Sequence, residues 1–240
     1  MGCRSILTRP TDEAGRGGPT VSDRTAICFD LDETLLFTQR SADGIVRDAL
    51  AAHCETVTDA MVEALTPDLL AALDGADDES ATDRVSAALD ETEGEGSALA
   101  GSSAASVNPD SLLVTLRSEV LAATTVSDAA RESLATLAAD EGCIICLLTD
   151  GHHDWQREKL AHHDLEQYFS HVVTTADAGG TKQSGAPYDY LRETVAAAEY
   201  VMIGDDYAAD VEAARAAGFV PIHYEETDGP DFFATLQAML

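Results

Sequence analysis

Positive charge is scarce in this sequence. Lysine occurs twice in 240 residues, at Lys159 and Lys182, and lysine and arginine together number 14 against 44 acids. The net charge of −30 excludes nucleic acid and anionic membranes as expected partners, because such a surface repels both. No apolar run approaches the length of a membrane span. The first residues, Met1 to Asp23, carry no apolar stretch, so no secretory signal is read there. Five cysteines, an odd number without such a signal, point to reduced thiols and a cytoplasmic location rather than a disulfide framework. Internal repeats are absent too.

What is present argues for a folded protein. The apolar share of 45% is too high for a disordered acidic chain. The acid surplus fits adaptation to concentrated salt, where screening removes self-repulsion. Residues 25–30, Thr-Ala-Ile-Cys-Phe-Asp, read as a buried strand ending in an acid. Further strands are expected at 143–148, 171–175, 200–204 and 219–223, alternating with helices at 154–162, 187–198, 207–217 and 231–239. This order implies an α/β fold, a Rossmann-like parallel sheet with helices on both faces.

The segment 38–126 breaks the alternation and reads as a helical cap domain inserted after the first strand. It separates core segments 25–37 and 127–240, behind an N-terminal tail at 1–24. Within it, 42–73 has helical spacing interrupted near Pro67, and helix resumes after Pro109. The next helix starts at Ser127 or Asp128, both capping residue types. From Asp77 to Glu95 there are eight acids and one arginine, so the region near 76–106 reads as a mobile, dispensable acidic loop. Such a cap is expected to open and close over the ends of the strands.

Polar clusters follow four of the strands, where open α/β sheets bind ligands. They bring Asp30 and Asp32, Thr149, Lys182, and Asp205 with Asp206 to one end of the sheet. Converging carboxylates repel unless a cation neutralises them, and oxygen ligands select Mg²⁺. A lysine and a threonine hydroxyl suit phosphate oxygens. A carboxylate beside a metal and a phosphate can attack phosphorus, while a second can serve as acid and base.

The run Asp30-Leu31-Asp32-Glu33-Thr34-Leu35 resembles the DxDxT motif of the haloacid dehalogenase superfamily. Leu147-Leu148-Thr149-Asp150-Gly151 is similar to its second motif, Thr175 to Lys182 to the approach to its third, and Ile203-Gly204-Asp205-Asp206 with Asp210 to its acidic fourth. The resemblance covers 25–40 and 127–223, and points to the capped phosphatase-like branch of subfamily I type. It implies Asp30 as nucleophile, Asp32 as general acid and base with its carbonyl on the metal, and Thr149, Asp150 and Lys182 around the phosphoryl group. It further implies Asp30, Asp32 and Asp205 as Mg²⁺ ligands, with Asp206 and Asp210 as supporting acids. Where the family has Asn and Pro, this chain has Asp150 and Gln183. The other lysine, Lys159, falls mid-helix, which leaves Lys182 as the phosphate-binding candidate.

A Mg²⁺-dependent phosphatase acting on a small phosphorylated metabolite is the function expected, with the chain a monomer or homodimer. A phosphomutase or other phosphotransferase and a catalytically silent binding protein of the same fold remain alternatives; a dehalogenase would lack Asp32. Cys143-x-x-Cys146 lies on a strand, so its sulfurs should point to opposite faces and act as core. His152-His153 and His162-His163 read as solvated surface, and Asp206 or Asp210 could simply cap a helix near Tyr207.

Overall fold

The structure is a computed structural model that describes residues 23–75, 80–91, 107–225 and 231–239. The chain divides into two compact units, one up to Phe37 and again from Val126 onward, the other Thr38–Thr125. In chain order the elements are β1 (Thr25–Phe29), β2 (Phe37–Thr38), α1 (Ala42–Ala51), α2 (Asp59–Asp74), α3 (Ala81–Glu91), α4 (Pro109–Ala123) and β3 (Thr124–Thr125). There follow α5 (Asp128–Ala138), β4 (Cys143–Thr149), α6 (His153–His162), β5 (His171–Thr174), α7 (Thr175–Ala178), α8 (Ala186–Thr194) and β6 (Glu199–Gly204). A π-helical turn (Tyr207–Ala213), α9 (Ala214–Ala216), β7 (Val220–His223) and α10 (Asp231–Met239) complete the described chain.

The first unit is built on a five-stranded sheet in the order β5-β4-β1-β6-β7, with every pair parallel. Its strands are apolar runs because both faces are covered. Ile27, Phe29, Ile145, Leu147, Val201 and Ile203 pack on one face with Leu134 and Leu137 of α5, Leu160 of α6, and Phe233 and Leu236 of α10. Ala26, Cys28, Ile144, Cys146, Leu148 and Met202 pack on the other with Tyr188 and Leu191 of α8 and Ala214 of α9. Cys143 and Cys146 belong to opposite faces, as strand alternation requires. Cys146 instead lies beside Cys28 across the β1–β4 ladder. Both are reduced and buried, and burial, with Cys146 adding, pushes the Cys28 thiol well above its ordinary pKa. That is the state of an inert core thiol. The sequence order reverses at β1, which has β4 on one side and β6 on the other, so the ligand crevice is expected at its carboxyl end.

Among the described residues the second unit has four helices, in which α1 packs on α2 and α4, and α3 on α2 and α4. Side-chain caps start all four: Ser41 for α1, Thr58 for α2, Ser80 for α3 through the Asp83 amide at 3.1 Å, and Asn108 for α4, the last with Pro109 in the first turn. In the first unit Ser127 caps α5 through the Ala130 amide at 3.1 Å. Pro67 does not interrupt its helix. It sits inside α2, and the break falls at 52–58. Proline removes the bond to the carbonyl of residue 63, but Pro67 and Glu63 are both exposed, so water can satisfy that carbonyl.

The acidic stretch also departs from the loop expected of it. Its residues 81–91 form α3, with Val85, Ala88 and Leu89 buried; residues 76–79 and 92–106 lie outside the described chain. Val85, Ala88 and Leu89 recur at three and four residues, one face of a helix, and Asp83 and Asp90 are exposed. The Arg84 guanidinium donates to the carbonyls of Ala72 and Gly75 at 3.3 and 3.4 Å, closing the end of α2. Among the described residues, no helix is long and apolar enough to cross a membrane.

Candidate active site

The site grows from the turn after β1. The Asp30 amide donates to the Ile203 carbonyl at 2.8 Å, tying it to β6. The chain then folds back tightly: the amides of Leu35 and Leu36 both donate to the Leu31 carbonyl, at 2.9 and 2.8 Å. Glu33 takes a left-handed φ of 56°. This fold-back buries Thr34 completely and aims its hydroxyl at Asp205 Oδ1, 3.0 Å away. The loops after β1 and β6 are thereby joined by a hydrogen bond.

Lys182 enters from a 3₁₀ turn, Lys182–Ser184, capped by Thr181. It is 2% exposed, and its ammonium lies 2.8 Å from Asp30 Oδ1 and 2.8 Å from Asp210 Oδ1. Gln183, where the family has Pro, does not prevent this, and Pro187 falls in the first turn of α8 after the 3₁₀ turn. Asp210 is fully buried on the π-helical turn that replaces the regular helix expected at 207–217. Asp206 caps that turn, accepting from the amides of Ala208 and Ala209, while the Tyr188 hydroxyl donates to the Ala209 carbonyl at 2.7 Å. A side chain at Gly204 would collide with the Asp210 carboxylate, so this close approach requires glycine. Asp206 thus acts as a cap, and Asp210 as the partner of the lysine.

Burial dominates the electrostatics. It pushes the Asp30 carboxyl up to about 7, against the pull of Lys182 and with Asp210 and Asp32 adding. Burial also raises Asp210, opposed by Lys182. Burial draws the Lys182 ammonium down, yet Asp30, Asp210 and Asp150 together carry it above its ordinary value. A cation on the carboxylates would act on Asp30 as Lys182 does and favour the ionised form.

Three carboxylate groups, from Asp30, Asp205 and Asp210, bring oxygens within 4.8 Å of one another. Asp210 spends one oxygen on Lys182 and the other on the Asp206 amide, which leaves Asp30 and Asp205 as the pair for a cation. An all-oxygen donor set fits a hard ion such as Mg²⁺.

Thr149 ends β4, buried, in the strand next to β1. Asp150 is exposed beyond it, and its carbonyl accepts from Gln156 Nε2 at 2.6 Å. Asp32 is held from an unexpected quarter. Lys159, set aside above as mid-helix, is 4% exposed and its ammonium lies 2.9 and 2.8 Å from the two Asp32 oxygens. No role was read in the sequence for Lys159 or Gln156, and Thr34 was named only as part of the DxDxT run. For the first the sequence carried no clear signal, since only the packing shows that Trp155, Gln156, Lys159 and Leu160 form one buried face of α6.

The histidines belong elsewhere. His153 Nδ1 pairs with Asp177 at 2.9 Å, part of the capping box that starts α7. His163 is buried rather than solvated, its carbonyl accepting from Arg131 at 2.7 Å.

Solved structures share this fold. A magnesium-bound Bacillus subtilis protein assigned as the HAD-hydrolase YfnB is 20% identical with a TM-score of 0.60, over 90% of this chain and 99% of its own. A Thermotoga maritima protein assigned as a β-phosphoglucomutase is 17% identical with a TM-score of 0.63, over 90% and 99%. A predicted phosphoglycolate phosphatase from Haemophilus somnus is 18% identical with a TM-score of 0.54, over 93% and 100%. No curated protein matches the chain. The family model for haloacid dehalogenase-like hydrolases, however, matches residues 25–218, and the chain belongs to that hydrolase family.

Proposed function

We propose that the protein is a Mg²⁺-dependent phosphatase that hydrolyses a small phosphate monoester through an aspartyl phosphate on Asp30. The observation that carries this reading is the pairing of a buried Asp30 with Lys182, 2.8 Å away, within reach of Asp205. A buried carboxylate held by a lysine is fixed in direction, as a nucleophile must be. Support also comes from the magnesium in one structural neighbour and the phosphatase assignment of another. The same reading makes it a capped enzyme of subfamily I type, from a halophile, working in the cytoplasm as a monomer or homodimer.

In this reading Asp30, Asp205 and the Asp32 carbonyl hold the ion. When bound, the ion supplies the positive charge that lets an anionic phosphate approach an anionic nucleophile. Lys182, Thr149 and the turn at Asp150 hold the phosphoryl oxygens, so that charge developing in flight meets fixed partners. An Asp30 oxygen bonds to phosphorus as the ester oxygen leaves, and Asp32 gives that oxygen its proton. Asp32 then takes a proton from water, whose oxygen bonds to phosphorus, and the Asp30–phosphorus bond breaks to release inorganic phosphate.

A panel of sugar phosphates, nucleotides and phosphoglycolate, assayed with Mg²⁺ in molar KCl, tests the proposal. Free phosphate should appear in step with dephosphorylated product, and Asp30→Asn should fold but not turn over. Wild-type turnover by Asp30→Asn would overturn the reading. Phosphate reappearing on a sugar would replace it with the phosphotransferase.

A further inference from the structure

We infer that Lys159 is a positioning residue for this reaction: by gripping both carboxylate oxygens of Asp32, it sets the direction in which Asp32 meets the leaving group and the attacking water. The inference rests on the phosphatase reading above, but it starts from an imbalance in the chain. Only two of the 14 bases are lysines. Both are buried, at 2% and 4% exposure, and both sit on acids of the same site. Lys182 takes Asp30 and Asp210, and Lys159 takes Asp32.

The helix that carries Lys159 is built to aim it. Its N-cap is His152, and its buried face is Trp155, Gln156, Lys159 and Leu160. Trp155 lies one turn before Lys159, with the ammonium 5.1 Å from its ring centroid, an arrangement favourable to a cation. Gln156 Nε2 donates to the Asp150 carbonyl at 2.6 Å. One helix face thus holds the turn after β4 through Gln156 and the turn after β1 through Lys159.

The Asp32 side chain is 44% exposed, while that of Lys159 is 5% exposed. The carboxylate is therefore pinned on its inner side and open on its outer side, where a substrate can reach it. Stability alone gives little reason for such a pair, since an apolar side chain of similar volume often serves a buried position as well or better. A fixed carboxylate is different, because small misplacements of a group that transfers a proton are costly in rate. An ammonium 2.8 and 2.9 Å from the two oxygens restricts rotation about the Asp32 side chain in a way that one hydrogen bond would not.

The test compares Lys159→Met, Lys159→Arg, Asp32→Asn and the Asp32→Asn/Lys159→Met pair, using p-nitrophenyl phosphate at saturating Mg²⁺ in molar KCl. Lys159→Met should lower kcat by roughly 10- to 100-fold and leave KM within about twofold, because phosphate binding resides in other residues. Lys159→Arg keeps the charge and should recover part of the loss. In the Asp32→Asn background the lysine substitution should change little, since two residues acting through one group are not additive. Unchanged kcat in Lys159→Met, or a full independent loss in the double variant, overturns the inference. If Lys159→Met loses its cooperative melt, Lys159→Gln takes its place, with the same expectations. A crystal structure of the substituted protein reads positioning without turnover. The Asp32 carboxylate should leave its wild-type orientation, and an unmoved carboxylate overturns the inference. A wild-type protein inactive on every ester would count against the phosphatase reading instead, and the crystal structure would still decide the role of Lys159.

Discussion

Thr34 has one polar task, the 3.0 Å hydrogen bond to Asp205, and it performs it from a fully buried position. Thr34→Val keeps the shape and deletes the donor, so the fold should lose no more than about 1–2 kcal/mol. The Asp205 carboxylate, however, loses the group that orients it, and with it part of the proposed Mg²⁺ site. Outer partners of metal ligands are commonly worth about 10- to 100-fold in metal affinity. The Mg²⁺ concentration for half-maximal activity should rise by roughly that factor, with a matching loss in calorimetric Mg²⁺ binding; equal affinities in the two proteins would refute the role. Residues of this kind differ in how openly the sequence announces them. Asp30, Asp32 and Asp205 stood out as candidates because several motifs in order fit together around them; an acid at a strand end taken alone often only forms a turn or a cap. Asp210 was harder, since the same pattern suits a cap, and Asp206 rather than Asp210 caps the turn. Lys159 was missed because a long cation inside a polar helix reads as surface, and only tertiary packing shows that it is buried.

At the scale of the element, α3 was hidden by its own acids. Eight acids between Asp77 and Glu95 suggested a solvated loop, but a helix needs only one apolar stripe, and Val85, Ala88 and Leu89 provide it. The π-helical turn was invisible for a different reason. Its sequence, YAADVEA, is compatible with an ordinary helix, and what widens it is the tertiary demand that Asp210 reach Lys182 beneath Gly204. The parallel sheet, in contrast, was legible because fully buried strands must be apolar on both faces. A consequence for α3 can be measured. Leu89→Ala removes a side chain that is 4% exposed and should cost about 2–5 kcal/mol, seen as a lower urea midpoint. Deletion of residues 81–91 should therefore destabilise the second unit, contrary to the expectation that the acidic stretch is dispensable. If Leu89→Ala melts and unfolds as the parent does, α3 adds nothing to the unit.

For the molecule as a whole, the decisive quantity is the charge of −30, and the question is which charges feel the solvent. Lys182, Asp30 and Asp210 form a buried cluster, poorly accessible to screening ions. The surface pairs use arginine instead: Arg40 with Glu119, Arg47 with Asp59, and Arg157 with Glu166. Pairs this exposed contribute little each, and they cannot offset an excess of 44 acids over 14 bases. The remaining repulsion acts across the surface and depends on ionic strength, because the Debye length falls from about 30 Å at 0.01 M to about 3 Å at 1 M. Salt should therefore stabilise the folded chain by shielding the acids from one another, more than it weakens the few exposed ion pairs. The melting temperature should climb from dilute buffer to molar KCl, and NaCl at equal ionic strength should do the same if screening rather than specific ion binding is the cause. A melting temperature that is flat or falls with added salt would sink this account. A rise seen with one cation and not the other would transfer the effect from screening to a site.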